Sequence, residues 1–313
     1  MVKTGHSMNA RSQDGPEWPT LLLLALTYLV WATGTMIWHD SAVLSLILTG
    51  VAIAQHSSLQ HEVMHGHPTR HTALNEALVF PALSIFVPYR RFRDTHLLHH
   101  HDPALTDPYD DPESNFRDPA EWARLSRWVQ RLLCWNNTLA GRMVLGPLLG
   151  TWRFVSADVA LAVQDGRVRQ AWALHGIGLV MVGAWLMIWG SMPFWGYLLA
   201  VHLGFALLRI RTFLEHRAHD VARARTVVIE DRGPLALLFL NNNFHAVHHM
   251  HPSVSWYRLP ALYAAHKAHY LRRNDGYVYP GYGRVFRNYF WRAKDTVPHP
   301  LWPDRKTLPP EEV

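Results

Sequence analysis

The sequence predicts an all-α integral membrane protein: four transmembrane helices in two hairpins, with a helical cap on the cytoplasmic face. Three observations carry that expectation. Four apolar stretches are each about long enough to cross a bilayer, and they occur as two closely spaced pairs. Lysine and arginine are absent from the tips of both pairs. Three short histidine clusters, HEVMH, HLLHH and HAVHH, fall on the side where the basic residues collect.

The first span covers residues 19–38 and carries no charge. A polar break (His39, Asp40, Ser41) separates it from a second span over residues 42–60. The second pair covers residues 171–190 and 194–214, broken by Ser191, Met192 and Pro193. Arg70, Arg90, Arg91, Arg93, Arg167, Arg169, Arg209, Arg211 and Arg217 lie opposite the hairpin tips, so the positive-inside rule puts both termini and the long segments in the cytoplasm. Residues 1–18 read as a polar N-terminal lead without the pattern of a signal peptide. Residues 19–313 read as one membrane domain whose cap comprises 61–170 and 215–313. Trp38, Trp189 and Trp195 fit an aromatic belt at the outer interface as well as ordinary packing. Arg209 and Arg211 are expected to snorkel toward headgroups.

Two further apolar stretches are not spans. Residues 79–89 are too short and contain two prolines, which suits a re-entrant or interfacial segment. Residues 143–163 contain Arg153 and Asp158, each costing about 2.5–3.5 kcal/mol at the bilayer centre. A fifth span there would also put HAVHH across the membrane from the other clusters. An interfacial helix is the expectation. The Asp-Pro-rich stretch over residues 101–122 reads as turns on the solvated surface. The aromatic and basic stretch over 277–303 suits either the membrane surface or packing against the cap.

The histidine clusters carry the chemistry. A helix turns about 100° per residue, so residues at i, i+3 and i+4 share a face. His61 and His65, then His96, His99 and His100, then His245, His248 and His249 each project their imidazoles to one side. Neutral imidazole suits iron, zinc, copper and nickel. Eight imidazoles are too many for one ion, so two metals are expected. His216, at the end of the fourth span, is a ninth candidate. Residues that could orient the rings through their other nitrogen are Glu62, Asp94, Asp102, Glu215 and Asn241, with Asn242 and Asn243 beside it. His67, His101 and His251 lie off the shared faces, and His175 and His202 sit inside spans as hydrogen-bonded packing residues.

Composition removes other classes. A single cysteine, Cys134, excludes a disulfide framework, a cysteine-ligated zinc site and an iron–sulfur site. No Gly-x-Gly-x-x-Gly run follows a plausible strand, so no nicotinamide or flavin site is expected, and electrons for any redox chemistry must come from another protein. The net charge of +6 is scattered beside the apolar spans, which favours anionic lipid headgroups over nucleic acid.

These clusters, in this order and relation to the spans, resemble the three histidine boxes of the membrane fatty-acid desaturase family, over roughly residues 19–270. That superfamily also holds acyl hydroxylases and carotenoid ketolases and hydroxylases. The resemblance implies a non-haem centre of two Fe ions, O₂ as co-substrate and an external ferredoxin or cytochrome b5 as electron donor. It also implies a lipid or acyl substrate. His216 resembles the extra ligand that some members supply from the end of the fourth span. Desaturation of a fatty-acyl chain is the first expectation, and hydroxylation or ketolation of a carotenoid or alkyl chain is the second. A metal-binding membrane protein that performs no oxidation is the third. It is disfavoured because a transporter places its ligands near the bilayer midplane, and zinc hydrolysis needs fewer ligands than are offered.

Overall fold

The computed structural model describes residues 15–100 and 104–302. The elements in chain order are α1 (Trp18–Met36), α2 (Ala42–Met64), α3 (Thr72–Leu78), α4 (Tyr89–His99), α5 (Pro119–Arg124), α6 (Arg127–Asn136), α7 (Leu139–Val144), α8 (Gly146–Ala162), α9 (Gly166–Ile188) and α10 (Phe194–Thr212). After these come β1 (Val228–Ile229), α11 (Pro234–Leu238), α12 (His245–Met250), α13 (Leu259–Arg273), β2 (Val278–Tyr279) and α14 (Tyr282–Tyr289). Four helices, α1, α2, α9 and α10, are long and apolar enough to cross a membrane. Their limits differ from those expected where local chemistry decides. The second helix runs on to Met64 rather than ending at residue 60, and α9 starts at Gly166 because the Asp165 side chain caps it by accepting from the Arg167 N–H.

The all-α expectation fails at one place. Val228–Ile229 and Val278–Tyr279 pair as a small parallel ladder, Val228 opposite Val278 and Ile229 opposite Tyr279. Strands this short leave no alternating pattern in a sequence.

Helix α2 is the centre of the bundle, packed between α1 and α10. Small residues permit the close approach, as helices without a hydrophobic drive between them require. A Cβ at Gly34 of α1 would lie 2.6 Å from Thr49 Oγ1 of α2, and one at Gly204 of α10 would lie 2.9 Å from the Gly50 carbonyl of α2. Ser45 Oγ donates to the Gly34 carbonyl at 2.6 Å, which ties α1 to α2. The turn after α1 and the turn before α10 meet: the Ser191 N–H donates to Thr35 O at 2.9 Å, and the Trp38 N–H to Ser191 Oγ at 3.0 Å. Trp38 and Trp195 stack edge-on there at 5.2 Å.

The irregular chain between α3 and α4 is wedged among these four helices. Its carbonyls are satisfied by side chains: Tyr28 donates to Leu78 O, Gln60 to Val79 O, Tyr197 to Leu83 O, and His175 bonds Ile85 O. Non-helical backbone at membrane depth needs its polar groups satisfied by protein in this way. It also accounts for His175 as a bonded packing residue.

The stretch over 143–163 becomes α7 and α8, and α8 is not among the four long apolar helices. Its charges turn inward. Asp158 is buried and takes a bidentate bond from Arg91 at 2.9 Å on each oxygen, plus the Trp172 N–H at 2.9 Å. Removing one partner of such a buried pair costs about 3–5 kcal/mol. Arg153 donates to Ser114 O at 2.8 Å, while Leu148, Trp152 and Val159 face outward.

The C-terminal stretch packs against the chain that follows α10 and against the end of α11. Tyr277, Tyr282 and Val285 join Phe213, Leu214 and Phe239 in one buried cluster, and Tyr277 donates to Leu214 O at 2.7 Å. Of the polar lead, residues 15–18 are described, and there Glu17 is buried rather than solvated.

Candidate metal centre

Helix α2 carries His61 in its last turn and ends on His65 as its C-cap. Helix α4 carries His96 and His99 and ends on His100. Helix α12 holds His245, His248 and His249, and His216 follows α10, held by a bridge to Thr226. All nine converge, in two groups. His61, His65, His96, His100 and His248 form one, and His99, His216, His245 and His249 form the other, each with one ring nitrogen per residue within 4.8 Å of the rest. The division follows helix geometry. The i, i+4 pairs His96/His100 and His245/His249 each stay within a group, while the i+3 members His99 and His248 cross to the other. The groups meet where His100 and His249 stack at 4.3 Å.

Ring nitrogens point at one another at hydrogen-bond distance, as lone pairs gathered on a common point would. His99 Nε2 lies 2.9 Å from His216 Nε2, His100 Nε2 lies 2.9 Å from His96 Nε2, and His249 Nε2 lies 3.2 Å from His245 Nε2. The Nε2 atoms of His61 and His248 are buried with no hydrogen-bond partner. Burial, then repulsion from neighbouring imidazoles, holds His216, His245, His248 and His249 well below the ordinary histidine value, so their lone pairs are free of protons. Converging neutral imidazoles with orphaned, buried nitrogens fit two transition-metal ions.

Several rings are backed on the far side, as metal-ligating histidines are. His99 Nδ1 lies 2.7 Å from Asp111 Oδ1, His96 Nδ1 lies 2.9 Å from Glu113 Oε1, and His245 Nδ1 lies 3.0 Å from Asn242 Oδ1. Burial opposes charge on His99, but Glu113, the bond to Asp111 and the more distant Glu215 outweigh it and push its pKa up to about 9. The same carboxylates that favour a proton on this ring favour a metal.

Three of the expected backing residues do not fall behind a ring. Asp94 binds Arg93 at 2.8 Å because both face outward on α4. Glu62 lies off the shared face of His61 and His65 and accepts from the Trp256 N–H at 2.8 Å. Asn241 adopts a left-handed conformation and donates to Trp256 O, so Asn242 takes the place behind His245. Asp102 lies outside the described residues. Glu215 is near His245 Nδ1 at 3.7 Å and pairs with Arg211 at 3.0 Å. Arg211 is therefore buried behind the site, not extended toward headgroups, and Arg209 packs its guanidinium against Gly150 of α8. Asp111 and Glu113 were not anticipated. They belong to the acidic turn segment expected on the surface, yet Asp111 is 2% exposed.

The chain belongs to the fatty acid desaturase family: the family profile of that description matches residues 38–281. It is also similar to the beta-carotene ketolase of Paracoccus sp. (strain N81106 / MBIC 01143), at 26% identity over 223 residues, covering 70% of this chain and 75% of that one.

Proposed function

We propose that the protein is a membrane di-iron oxidoreductase that removes hydrogen from an unactivated C–H bond of a long hydrocarbon chain, using O₂. The observation that carries this reading is the convergence of nine histidines as groups of five and four. The five-histidine group and the four-histidine group would each hold one iron. Bound there, the iron pair would activate O₂ and supply the oxidising power for hydrogen abstraction.

The chain's own residues do the rest. Asp111 and Glu113 accept the Nδ1 protons of His99 and His96, which leaves each Nε2 as the donor and fixes the ring plane. Asn242 does the same for His245. Burial of His61, His96, His99, His245 and His248 keeps bulk water from the reacting centre. Two hairpins with the cap and both termini cytoplasmic suit this chemistry, since a soluble ferredoxin or cytochrome b5 can then deliver electrons. The long spans give an apolar substrate its route.

Desaturation of a fatty-acyl chain is the first reading. The likeness to a carotenoid ketolase favours a second, in which oxygen is added to a carotenoid or alkyl chain. Expression in a host that makes both acyl lipids and carotenoids, followed by mass spectrometry of total lipid, separates them. Acyl products lighter by two hydrogens support the first, and oxygen-bearing products support the second. No new product in iron-replete, aerated cells containing the folded protein would overturn both.

A further inference from the structure

A second buried cluster lies outside the nine histidines. Glu17 precedes α1, Glu62 lies in the last turn of α2, and His67 follows α2. All three are buried, and one ligand atom from each lies within 4.8 Å of the others. His67 Nδ1 is 2.7 Å from Glu17 Oε1, so the ring donates there, and in its neutral form Nε2 carries the lone pair. That nitrogen is buried without a hydrogen-bond partner and faces Glu62 Oε1 at 3.8 Å, beyond hydrogen-bond reach. The Pro252 carbonyl also faces this ring. A histidine whose Nδ1 is held by a carboxylate and whose Nε2 is bare toward a second carboxylate has the arrangement of a metal ligand.

Charge makes the same point. Two carboxylates are taken out of water, and His67 is the only group that can be a cation within ion-pair distance of either among the described residues. A divalent cation bound to neutral His67 balances both carboxylates.

We propose that Glu17, Glu62 and His67 form a third metal site, for one divalent cation of the zinc or manganese kind, separate from the two histidine groups. Nitrogen with carboxylate oxygens is a donor set such ions accept. Its role is structural. Glu17 also accepts from Ser255 Oγ at 2.6 Å, and Glu62 from the Trp256 N–H at 2.8 Å. The ion would therefore fasten the start of α1, the end of α2 and the segment just after α12 at one point, beside both outer histidine clusters.

The test is metal counting on the full-length, detergent-solubilised protein after exposure to Zn²⁺ and removal of free ion. Wild type should hold about one more metal per chain than either His67→Gln or Glu17→Gln, and Zn²⁺ should raise the thermal unfolding midpoint of wild type more than that of either variant. Glu17→Gln keeps the shape of the side chain, so it serves where His67→Gln does not fold. Equal metal content in wild type and a folded variant, or an equal Zn²⁺ effect on their unfolding, would overturn the site. The comparison is a difference between variants, so it holds whether or not the nine histidines bind iron.

Discussion

The two histidine groups are made of one residue type and yet are built differently. The group of His61, His65, His96, His100 and His248 draws on the ends of the regular helices α2, α4 and α12, and Glu113 backs it at His96. The group of His99, His216, His245 and His249 has one imidazole fewer and leans more on irregular chain. Asp111 backs its His99, Asn242 backs its His245, Glu215 lies 3.7 Å from the same His245 ring, and Lys294 donates to the His216 carbonyl at 2.6 Å. Helical spacing alone can gather ring nitrogens. Setting their basicity and orientation takes oxygen atoms from loops. Two metals held this way should be inequivalent, the four-histidine site being the one with room for a further ligand.

The largest effects should come from the ligands themselves. His216→Ala should remove about one iron per chain and abolish product formation, and His61→Ala should do the same from the other group, as read by iron analysis and lipid mass spectrometry. Retention of both irons in His216→Ala would detach that residue from the four-histidine group. Next in size are the backing carboxylates. Asp111→Asn and Glu113→Gln should each weaken iron binding or activity about 10–100-fold, and competition with a chelator should show each one loosening a different iron. If both substitutions loosen the same iron, the division into groups is wrong. Asn242→Ala removes a neutral hydrogen bond worth about 1 kcal/mol, so it should weaken iron binding only about fivefold.

The smallest effect is on stability and its pH dependence. Burial alone would raise Glu113, but His99, His96 and Arg211 outweigh it and hold its carboxyl far below the ordinary value of 4.5. A carboxyl depressed on folding contributes stability above its unfolded value and loses it as the pH falls through the lower folded value. Chelator-treated protein should therefore lose part of its stability below about pH 4.5, and Glu113→Gln should flatten that acid limb. An unchanged acid limb in thermal unfolding would separate Glu113 from the histidines.

What the sequence made legible was what repeats or persists. Hydropathy over twenty-odd residues revealed α1, α2, α9 and α10, and the i, i+3, i+4 spacing revealed the box histidines. His216 was visible from its place at the end of α10. Asp111 and Glu113 were not, because an acidic, proline-rich turn looks the same whether its carboxylates face water or a ring. The best local signal was their position shortly after HLLHH. Glu17 was hidden in the same way, as one charge in a polar lead. Asn242 was preferred by the structure over Asn241 because the left-handed backbone at Asn241 redirects its side chain, and backbone conformation has no signature there. The β1–β2 pair joins segments far apart in the chain through two residues each, too few for periodicity.

The most direct test of the two-group centre is iron spectroscopy on ⁵⁷Fe-loaded protein, with iron counted per chain. A His67→Gln background keeps the proposed third site out of the count. About two irons per chain in two distinguishable environments are expected, one of which disappears in His216→Ala. A single iron environment, or a zinc-only protein that still oxidises its substrate, would contradict the account.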